Sequence, residues 1–434
     1  MILSFVVFGC LAWTSCSAFD LVTGVGGGKA WYDHLPNENL TGVPKRILDN
    51  EQYYPAFKDL WLSIIGKTGN NERVIKEARK RQKVQKIIDD NVPFPCDLSL
   101  ARSPEKPSSV HTLRPGDIDV VAALGDSLTA GNGALALSTQ HVMVENRGLA
   151  ALIGGQATWR KFLTLPNILK EFNPKLIGYA LGDSFTHHRE SQFDIAEIGA
   201  MSQDLPFMTR QLVKRIKKDR RVDFQNDWKL ITVLMGSNNF CIDICYLPNA
   251  LTSIEEHKGH LIKSLEFLRD NMPRTIVSLV QSPNLKALVN FEYFPPVCEL
   301  LHKFECPCLF TLQHKPRYQE YVQTMDGWQR VEEEVANDER FKTKEDFAVV
   351  LQQFTKNITF PPKRQPNGQV LTDLTYLSDD CFHFSQKGYS RASNALWNNM
   401  LEPVGAKSIN WNTEFAKFLC PTQSSPYIRT WRNS

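Results

Sequence analysis

The chain has 434 residues and a mass of 49.4 kDa, enough for one large domain or two to three ordinary ones. Hydrophobic residues make up 42% and charged residues 22%, which excludes collagen-like, low-complexity and wholly disordered chains. The 50 basic and 47 acidic side chains leave a net charge of only +3, so composition gives no reason to expect a nucleic-acid partner.

The N-terminus indicates export. An apolar run from Ile2 to Phe8 precedes Cys16-Ser17-Ala18, which resembles a signal-peptidase site. We interpret Met1–Ala18 as a cleaved signal peptide; because it carries no Lys or Arg, an ordinary buried segment is the alternative. No later stretch approaches the ~18–20 apolar residues that span a bilayer, so a secreted chain without a transmembrane segment is predicted. Sequons at Asn39 and Asn357 are the expected glycosylation sites.

Cysteine usage agrees with export, because ten cysteines minus the two in the leader leave eight. An even number in an oxidising compartment predicts up to four disulfides, whose pairing the sequence leaves open. The alternative is zinc binding by Cys241 with Cys245 and by Cys306 with Cys308, although neither pair has the spacing of a structural zinc site. The other four cysteines are Cys96, Cys298, Cys381 and Cys420.

Residues 19–110 show no strong strand alternation. The charged stretch Glu72–Asp90 has part of a helical apolar face and predicts a surface helix rich in basic residues. This helix and a second basic run, Lys214–Arg221, could contact an anionic membrane surface peripherally. A solvated helix face is the simpler interpretation, and we favour it.

Further along, apolar strands alternate with helical patterns. Ile118–Leu124, Leu230–Met235 and Thr275–Val280 are short apolar runs typical of buried parallel strands. Leu205–Lys218 and Ser253–Asn271 have helical periodicity. This alternation predicts an α/β fold with helices on both faces of a mostly parallel sheet, and a site outside the carboxyl ends of the strands.

Polar residues with catalytic potential follow two of these strands and occupy a late loop. Ser127 comes directly after the first strand, where its hydroxyl and backbone N–H can face the same space. Asn238 follows the second strand, and its amide could donate to a developing oxyanion. Asp380 and His383 lie three residues apart in the late loop. Each alone is weak evidence, but their combination is far more specific.

These motifs and several longer runs resemble the SGNH, or GDSL, lipases and esterases, and within them the animal phospholipase B group. The runs that carry the resemblance are Leu113–Ile118, Leu165–Pro174, Asp379–Ser385 and Ala395–Gly405.

The resemblance implies a three-layer α/β/α hydrolase over residues 111–405, with residues 19–110 as an extension packed on it and residues 406–434 as a tail. It implies that Ser127 is the nucleophile, His383 its base and Asp380 the residue that orients His383. The implied function is a secreted, monomeric ester hydrolase that cleaves phospholipids or lysophospholipids through an acyl-enzyme, without metal or cofactor.

The implied oxyanion hole combines the Ser127 backbone N–H, the Asn238 side chain and a glycine N–H. Gly199 is the favoured glycine, and Gly154-Gly155 is the competing assignment. The chain departs from the family at Asn239, where an Asp usually follows the oxyanion Asn. Losing that negative charge is expected to weaken the hydrogen bonding of the loop, so Asn239→Asp is predicted to raise activity or leave it unchanged.

A second Gly-Asp-Ser triplet ends at Ser184 and is followed by His187 and His188. Ser184 is not the expected nucleophile, because the segment after it lacks the small residues found after Ser127; both histidines are expected at the surface. The rival function is a non-catalytic lipid- or glycan-binding protein that retains the fold. The intact Ser127, Asp380 and His383 argue against it.

Overall fold

The structure, a computed structural model, describes residues 53–434. The chain divides into two units, residues 1–67 and residues 68–434. Helix α1 (Tyr53–Ile65) belongs to the first unit. The predicted signal peptide and the sequon at Asn39 lie outside the described residues, so both stay predictions.

The centre of the second unit is a parallel sheet in the order β1-β2-β3-β4. Its strands are β1 (Ile118–Gly125), β2 (Trp228–Leu234), β3 (Thr275–Val280) and β4 (Phe347–Gln352). A separate antiparallel hairpin pairs β5 (Pro362–Arg364) with β6 (Val370–Thr372).

Helices connect the strands and cover the sheet. Among the described residues, no helix combines the length and the apolar composition that crossing a bilayer requires. The helices of the second unit are α2 (Glu72–Lys80), α3 (Ser127–Ala130), α4 (Leu165–Phe172), α5 (Leu205–Lys218), α6 (Ser237–Ile242), α7 (Thr252–Asn271), α8 (Lys286–Val289), α9 (Pro296–Glu305), α10 (Pro307–Phe310), α11 (Tyr318–Ala336) and α12 (Gln386–Leu401).

Side chains of the buried strands alternate between two apolar clusters, one on each face of the sheet. In β1, Val120 and Leu124 pack in the cluster that contains residues of α5 and α7. Val121 and Ala123 point to the other cluster, which contains residues of α4 and α12. Apolar residues on both faces explain the near-continuous apolar runs, and the arrangement confirms the predicted three-layer α/β/α fold.

The predicted elements agree closely with the observed ones, with one exception. The expected helix over Glu72–Asp90 ends at Lys80, because Gln82 takes a left-handed backbone conformation with a φ of 60°. Two of its basic side chains, Arg81 and Lys83, form ion pairs with Asp379. That pairing lowers the positive charge available to an anionic membrane surface.

All eight cysteines of the described residues form disulfides. Cys241 pairs with Cys306 and Cys245 with Cys308, so the residues considered as zinc ligands are joined to each other instead. The remaining disulfides are Cys96–Cys420 and Cys298–Cys381. The four disulfides confirm the prediction from cysteine number.

The C-terminal residues pack back on the core of the second unit. The Trp397 Nε1–H donates to the Leu419 carbonyl at 2.7 Å, and the Ile428 N–H donates to the Leu113 carbonyl at 2.8 Å. Asn357, the sequon that the structure describes, is exposed, as a glycosylation site requires.

The Cys96–Cys420 disulfide closes a sequence separation of 324 residues. Replacing both cysteines by Ala should lower the free energy of unfolding by about 2–4 kcal/mol, because the unfolded chain regains the freedom of that loop. Urea unfolding of the oxidised variant and the wild type measures this. An unchanged unfolding midpoint would show that this disulfide does not stabilise the fold.

Candidate active site

Ser127 lies at the turn between β1 and α3. Gly125 ends the strand, and a Cβ there would come within 2.1 Å of Thr129 Oγ1, a contact that glycine avoids. The Asp126 carboxylate then caps α3 by accepting the Leu128 N–H at 2.9 Å. Ser127 is therefore the first residue of a short helix, with its side chain beside a strand end.

His383 connects Ser127 to Asp380. Its Nε2 lies 2.9 Å from Ser127 Oγ, and its Nδ1 lies 2.5 Å from Asp380 Oδ2. Asp380 Oδ1 also accepts the backbone N–H groups of Phe382 at 3.0 Å and His383 at 3.1 Å. The structure thus brings together the three residues that the sequence singled out, as a hydroxyl, an imidazole and a carboxylate in series.

Asp380 and Asp126, two of the carboxyl groups near His383, differ in the direction of their pKa shifts. Burial raises the pKa of Asp380, but His383 and the two backbone donors outweigh burial and hold that pKa below its ordinary value. Burial raises the pKa of Asp126 to about 6. Asp380 therefore stays ionised in the weakly acidic range where Asp126 titrates. An ionised Asp380 favours the tautomer with a proton on His383 Nδ1, which leaves Nε2 free to accept the Ser127 proton.

The loop that carries Asp380 and His383, residues 379–383, is held at several points. Cys381 has a φ of 57°, a conformation that costs a non-glycine residue about 1 kcal/mol or more. Its disulfide to Cys298 ties the loop to α9, while Asp379 is paired with Arg81 and Lys83. These contacts hold the loop in the conformation that presents His383.

The two remaining oxyanion candidates, Asn238 and Gly199, lie close together. The Asn238 side-chain amide donates to the Ala200 carbonyl at 2.9 Å. Gly199 has a φ of 74°, in the left-handed region that favours glycine. The Glu197 N–H donates to the Gly125 carbonyl at 3.1 Å, which places this loop at the carboxyl end of β1.

The competing glycines already use their backbone donors. The Gly154 N–H donates to the Ala150 carbonyl at 2.9 Å, and the Gly155 N–H donates to the Ala180 carbonyl at 2.8 Å. Neither N–H is available to an oxyanion without breaking one of these bonds. This observation favours Gly199.

The Asn239 side chain both accepts and donates hydrogen bonds. Its Oδ1 accepts the Ser202 N–H at 2.9 Å, and its Nδ2 donates to Asp243 at 2.9 Å and to Gln203 Oε1 at 3.3 Å. Asp243 therefore supplies a carboxylate one helical turn after the position where the family carries one. An Asp at position 239 would lack these donors and face a second carboxylate, so the structure reverses the expected benefit of Asn239→Asp.

Ser184 lies in a different setting from Ser127. The preceding Asp183 accepts the N–H groups of Thr68 at 2.6 Å and Gly69 at 2.8 Å. Ser184 is buried, and its hydroxyl has no hydrogen-bond partner among the described residues. His187 and His188 are half-buried and lie ring to ring, 4.3 Å apart, rather than at the open surface.

Glu305, at the end of α9, is a neighbour of Asp380 and His383 that the sequence did not indicate. Polar atoms of Glu305, Asp380 and His383 lie within 4.8 Å of one another, and Glu305 Oε2 is buried. Burial and the negative charge of Asp380 raise the pKa of Glu305 well above its usual value. A cation bound by these three groups would have to compete with the Asp380–His383 hydrogen bond. No motif around Glu305 identifies it, because its place beside Asp380 depends on the packing of α9, which the Cys298–Cys381 disulfide joins to the loop.

A small apolar cavity lies beside these residues. Leu128, Ser237 and Phe382, which line it, are the sequence neighbours of Ser127, Asn238 and His383. The other lining residues are aliphatic or aromatic except Asn284: Pro283, Leu285, Ala287, Leu288, Ile358, Phe360 and Phe384. An apolar surface therefore lies next to the turn that carries Ser127.

A model of the GDSL-like lipase/acylhydrolase family matches residues 121–396. Phospholipase B1, membrane-associated, from Rattus norvegicus is 38% identical over 341 residues, 78% of this chain and 23% of that protein. The protein of the same name from Homo sapiens is 38% identical over 349 residues, 79% of this chain and 23% of that protein. The chain thus spans less than a quarter of the length of these relatives.

Among solved structures, an acetyl xylan esterase from Geobacillus stearothermophilus aligns with 65% of this chain and 96% of its own. The sequence identity is 12% and the TM-score 0.31. This likeness is too distant to inform the chemistry.

Asn239→Asp should destabilise the protein by about 1–3 kcal/mol, because two carboxylates would meet where an amide now donates to Asp243. Adding Asp243→Asn reverses the pair and should recover most of the loss. Chemical denaturation of the single and double variants tests this. A single variant as stable as the wild type would contradict it.

Proposed function

Because the chain belongs to the GDSL-like lipase/acylhydrolase family, we propose that it is a secreted serine hydrolase of phospholipid or lysophospholipid acyl esters. The observation that carries this proposal is the hydrogen-bonded series of Ser127, His383 and Asp380 beside an apolar cavity. The similarity to phospholipase B1 supports the choice of lipid substrate.

In the proposed first step, Ser127 Oγ attacks the acyl carbonyl carbon while His383 Nε2 accepts the hydroxyl proton. The carbonyl oxygen becomes an oxyanion, which the Ser127 N–H, the Gly199 N–H and the Asn238 amide stabilise. The C–O bond to the glycerol oxygen then breaks, and that oxygen takes the proton from His383. The products are an acyl-enzyme on Ser127 and the released alcohol.

In the second step, His383 accepts a proton from water, whose oxygen attacks the acyl-enzyme carbonyl carbon. The same donors stabilise the second oxyanion, and the proton returns to Ser127 as the fatty acid leaves. Asp380 stabilises the imidazolium in both steps and holds its orientation. The chemistry uses an imidazole as base, so it requires no metal and no cofactor.

The cavity supports a fatty acyl chain as the apolar part of the substrate. Phe382 and Leu128 flank His383 and Ser127, so an acyl chain between them would bring its ester carbonyl to the nucleophile. Each methylene that the apolar lining buries contributes about 0.8 kcal/mol, so we propose an acyl chain with more carbons than an acetyl group.

Secretion is supported by features far from the site. The four disulfides are typical of chains that fold in an oxidising compartment, and the sequon at Asn357 is exposed. Together with the signal-like start, they support an extracellular location.

The rival function is a non-catalytic binding protein, and Asn239, in place of the usual Asp, is the residue that favours it. Asn239 accepts the Ser202 N–H and donates to Asp243, so the loop keeps polar contacts at this position. The distances around His383 favour catalysis.

Ser127→Ala should lower the release of fatty acid from a lysophosphatidylcholine by about 10⁴-fold or more, because the nucleophile is lost. His383→Ala should be nearly as damaging, and Asp380→Ala less so. Asn238→Ala should cost about 10²–10³-fold in kcat if its amide stabilises the oxyanion. Rates with purified protein and a fluorophosphonate labelling assay measure these effects.

Ser184→Ala is the matched control, because Ser184 ends the second Gly-Asp-Ser triplet and is also buried. It should retain both hydrolysis and labelling. Loss of activity in Ser184→Ala with full activity in Ser127→Ala would overturn the site, and full activity in both would overturn the mechanism.

A further inference from the structure

A set of buried hydrogen bonds flanks the segment that carries Asn238. Four side chains form it, and we call them the buried network: Ser202, His257, Ser282 and Glu332. Each is at most 1% exposed. Burying a polar group costs free energy unless the group forms a hydrogen bond, and these side chains form hydrogen bonds with one another.

One side of the network contacts the residue after Asn238. The Ser202 N–H donates to Asn239 Oδ1 at 2.9 Å. Ser202 Oγ lies 2.7 Å from His257 Nδ1 and 3.3 Å from His260 Nδ1. His257 Nε2 lies 3.2 Å from Glu332 Oε1. A continuous path therefore runs from Asn239 through Ser202 and His257 to Glu332.

The other side contacts the backbone before Asn238. The Ser282 N–H donates to Glu332 Oε2 at 2.9 Å. The Ser282 hydroxyl lies within hydrogen-bond distance of Glu332 Oε1 and of the Met235 carbonyl, the latter at 2.6 Å, and donates to one of them at a time. Glu332 thus joins both sides.

Packing makes this arrangement rigid. The His257 ring stacks on the Trp328 ring, with centroids 3.8 Å apart and planes 8° apart. A Cβ on Gly236 would lie 2.7 Å from Ser282 Oγ and 3.3 Å from Trp328, so the backbone lies directly against the network. Residues 235–239 are therefore held at both ends with Asn238 between them.

We propose that the buried network positions Asn238 for oxyanion stabilisation, so that Ser282, Glu332, His257 and Ser202 are positioning residues of the hydrolase. This inference rests on the proposed function and adds to it. A preorganised donor stabilises the transition state because it does not reorient during the reaction, and a misplacement of about 1 Å can cost about 10²-fold in rate.

Ser282→Ala is the most direct test, since it removes the hydroxyl and leaves the backbone N–H bond to Glu332. We expect kcat to fall about 10- to 100-fold with KM changed less than about 3-fold, because Asn238 acts mainly in the transition state. Glu332→Gln, which replaces one acceptor oxygen by a donor, should lower kcat in the same way.

A double-mutant cycle separates positioning from general loss of structure. In the Asn238→Ala background, Ser282→Ala should cost less than about 2-fold in kcat, because the donor that it positions is already gone. Equal losses in both backgrounds, or full kcat in Ser282→Ala alone, would overturn the inference.

Ser264→Ala is the control, because Ser264 is another buried serine whose hydroxyl donates to a backbone carbonyl, that of His260, within α7. It should leave kcat unchanged. If the wild type neither hydrolyses esters nor reacts with a fluorophosphonate, the proposed function fails and this inference with it. If the wild type is active and the cycle is additive, only the inference fails.

Discussion

The parallel pairing of β1 with β2 is the constraint on which the candidate site depends. The register runs from Val120 opposite Lys229 to Gly125 opposite Leu234, so both strands end at the same edge of the sheet. The turns that follow carry Ser127 and Asn238, which places a hydroxyl and an amide at the same edge of the sheet. A slip of one residue would exchange the side chains that β1 presents to the two faces, and the packing of both apolar clusters opposes it.

The third part of the site comes from a loop far along the chain, and it needs its own restraints. Asp380 holds the loop backbone through the N–H groups of Phe382 and His383. The disulfide to Cys298 and the ion pairs of Asp379 add tethers from other segments. A general base must stay about 3 Å from the hydroxyl whose proton it accepts, because the reaction rate falls steeply when the base is displaced. Such tethers keep the base in place.

Much of this arrangement was predictable from short-range patterns. The apolar runs and helical periodicity gave three strands and two helices with nearly correct bounds, because the buried faces of a parallel sheet dictate those patterns. Ser127, Asp380 and His383 stand in short motifs that could be recognised from residue type alone. The structure brings these residues into contact although Ser127 is far from the other two in sequence.

The rest depends on contacts between distant residues. The number of cysteines predicted how many disulfides could form but not which cysteines pair. The early end of α2 depends on the backbone conformation of Gln82, which no sequence pattern indicated. From the sequence, Asn239 indicated the loss of a negative charge in this loop. In the structure, Asn239 Nδ2 donates to Asp243 Oδ2 at 2.9 Å, so a carboxylate is still present there. Glu332 reaches Ser282 from 50 residues along the chain, a contact that no local pattern encodes.

In the proposed mechanism, a fatty acyl ester forms on Ser127. Rapid chemical quenching of the wild-type protein with a long-chain lysophosphatidylcholine, followed by proteolysis and mass spectrometry, tests this directly. We expect the added mass of the acyl chain on the peptide that contains Ser127, formed before free fatty acid reaches its steady rate. An acyl group on the peptide that contains Ser184, or steady turnover without any covalent adduct, would contradict it.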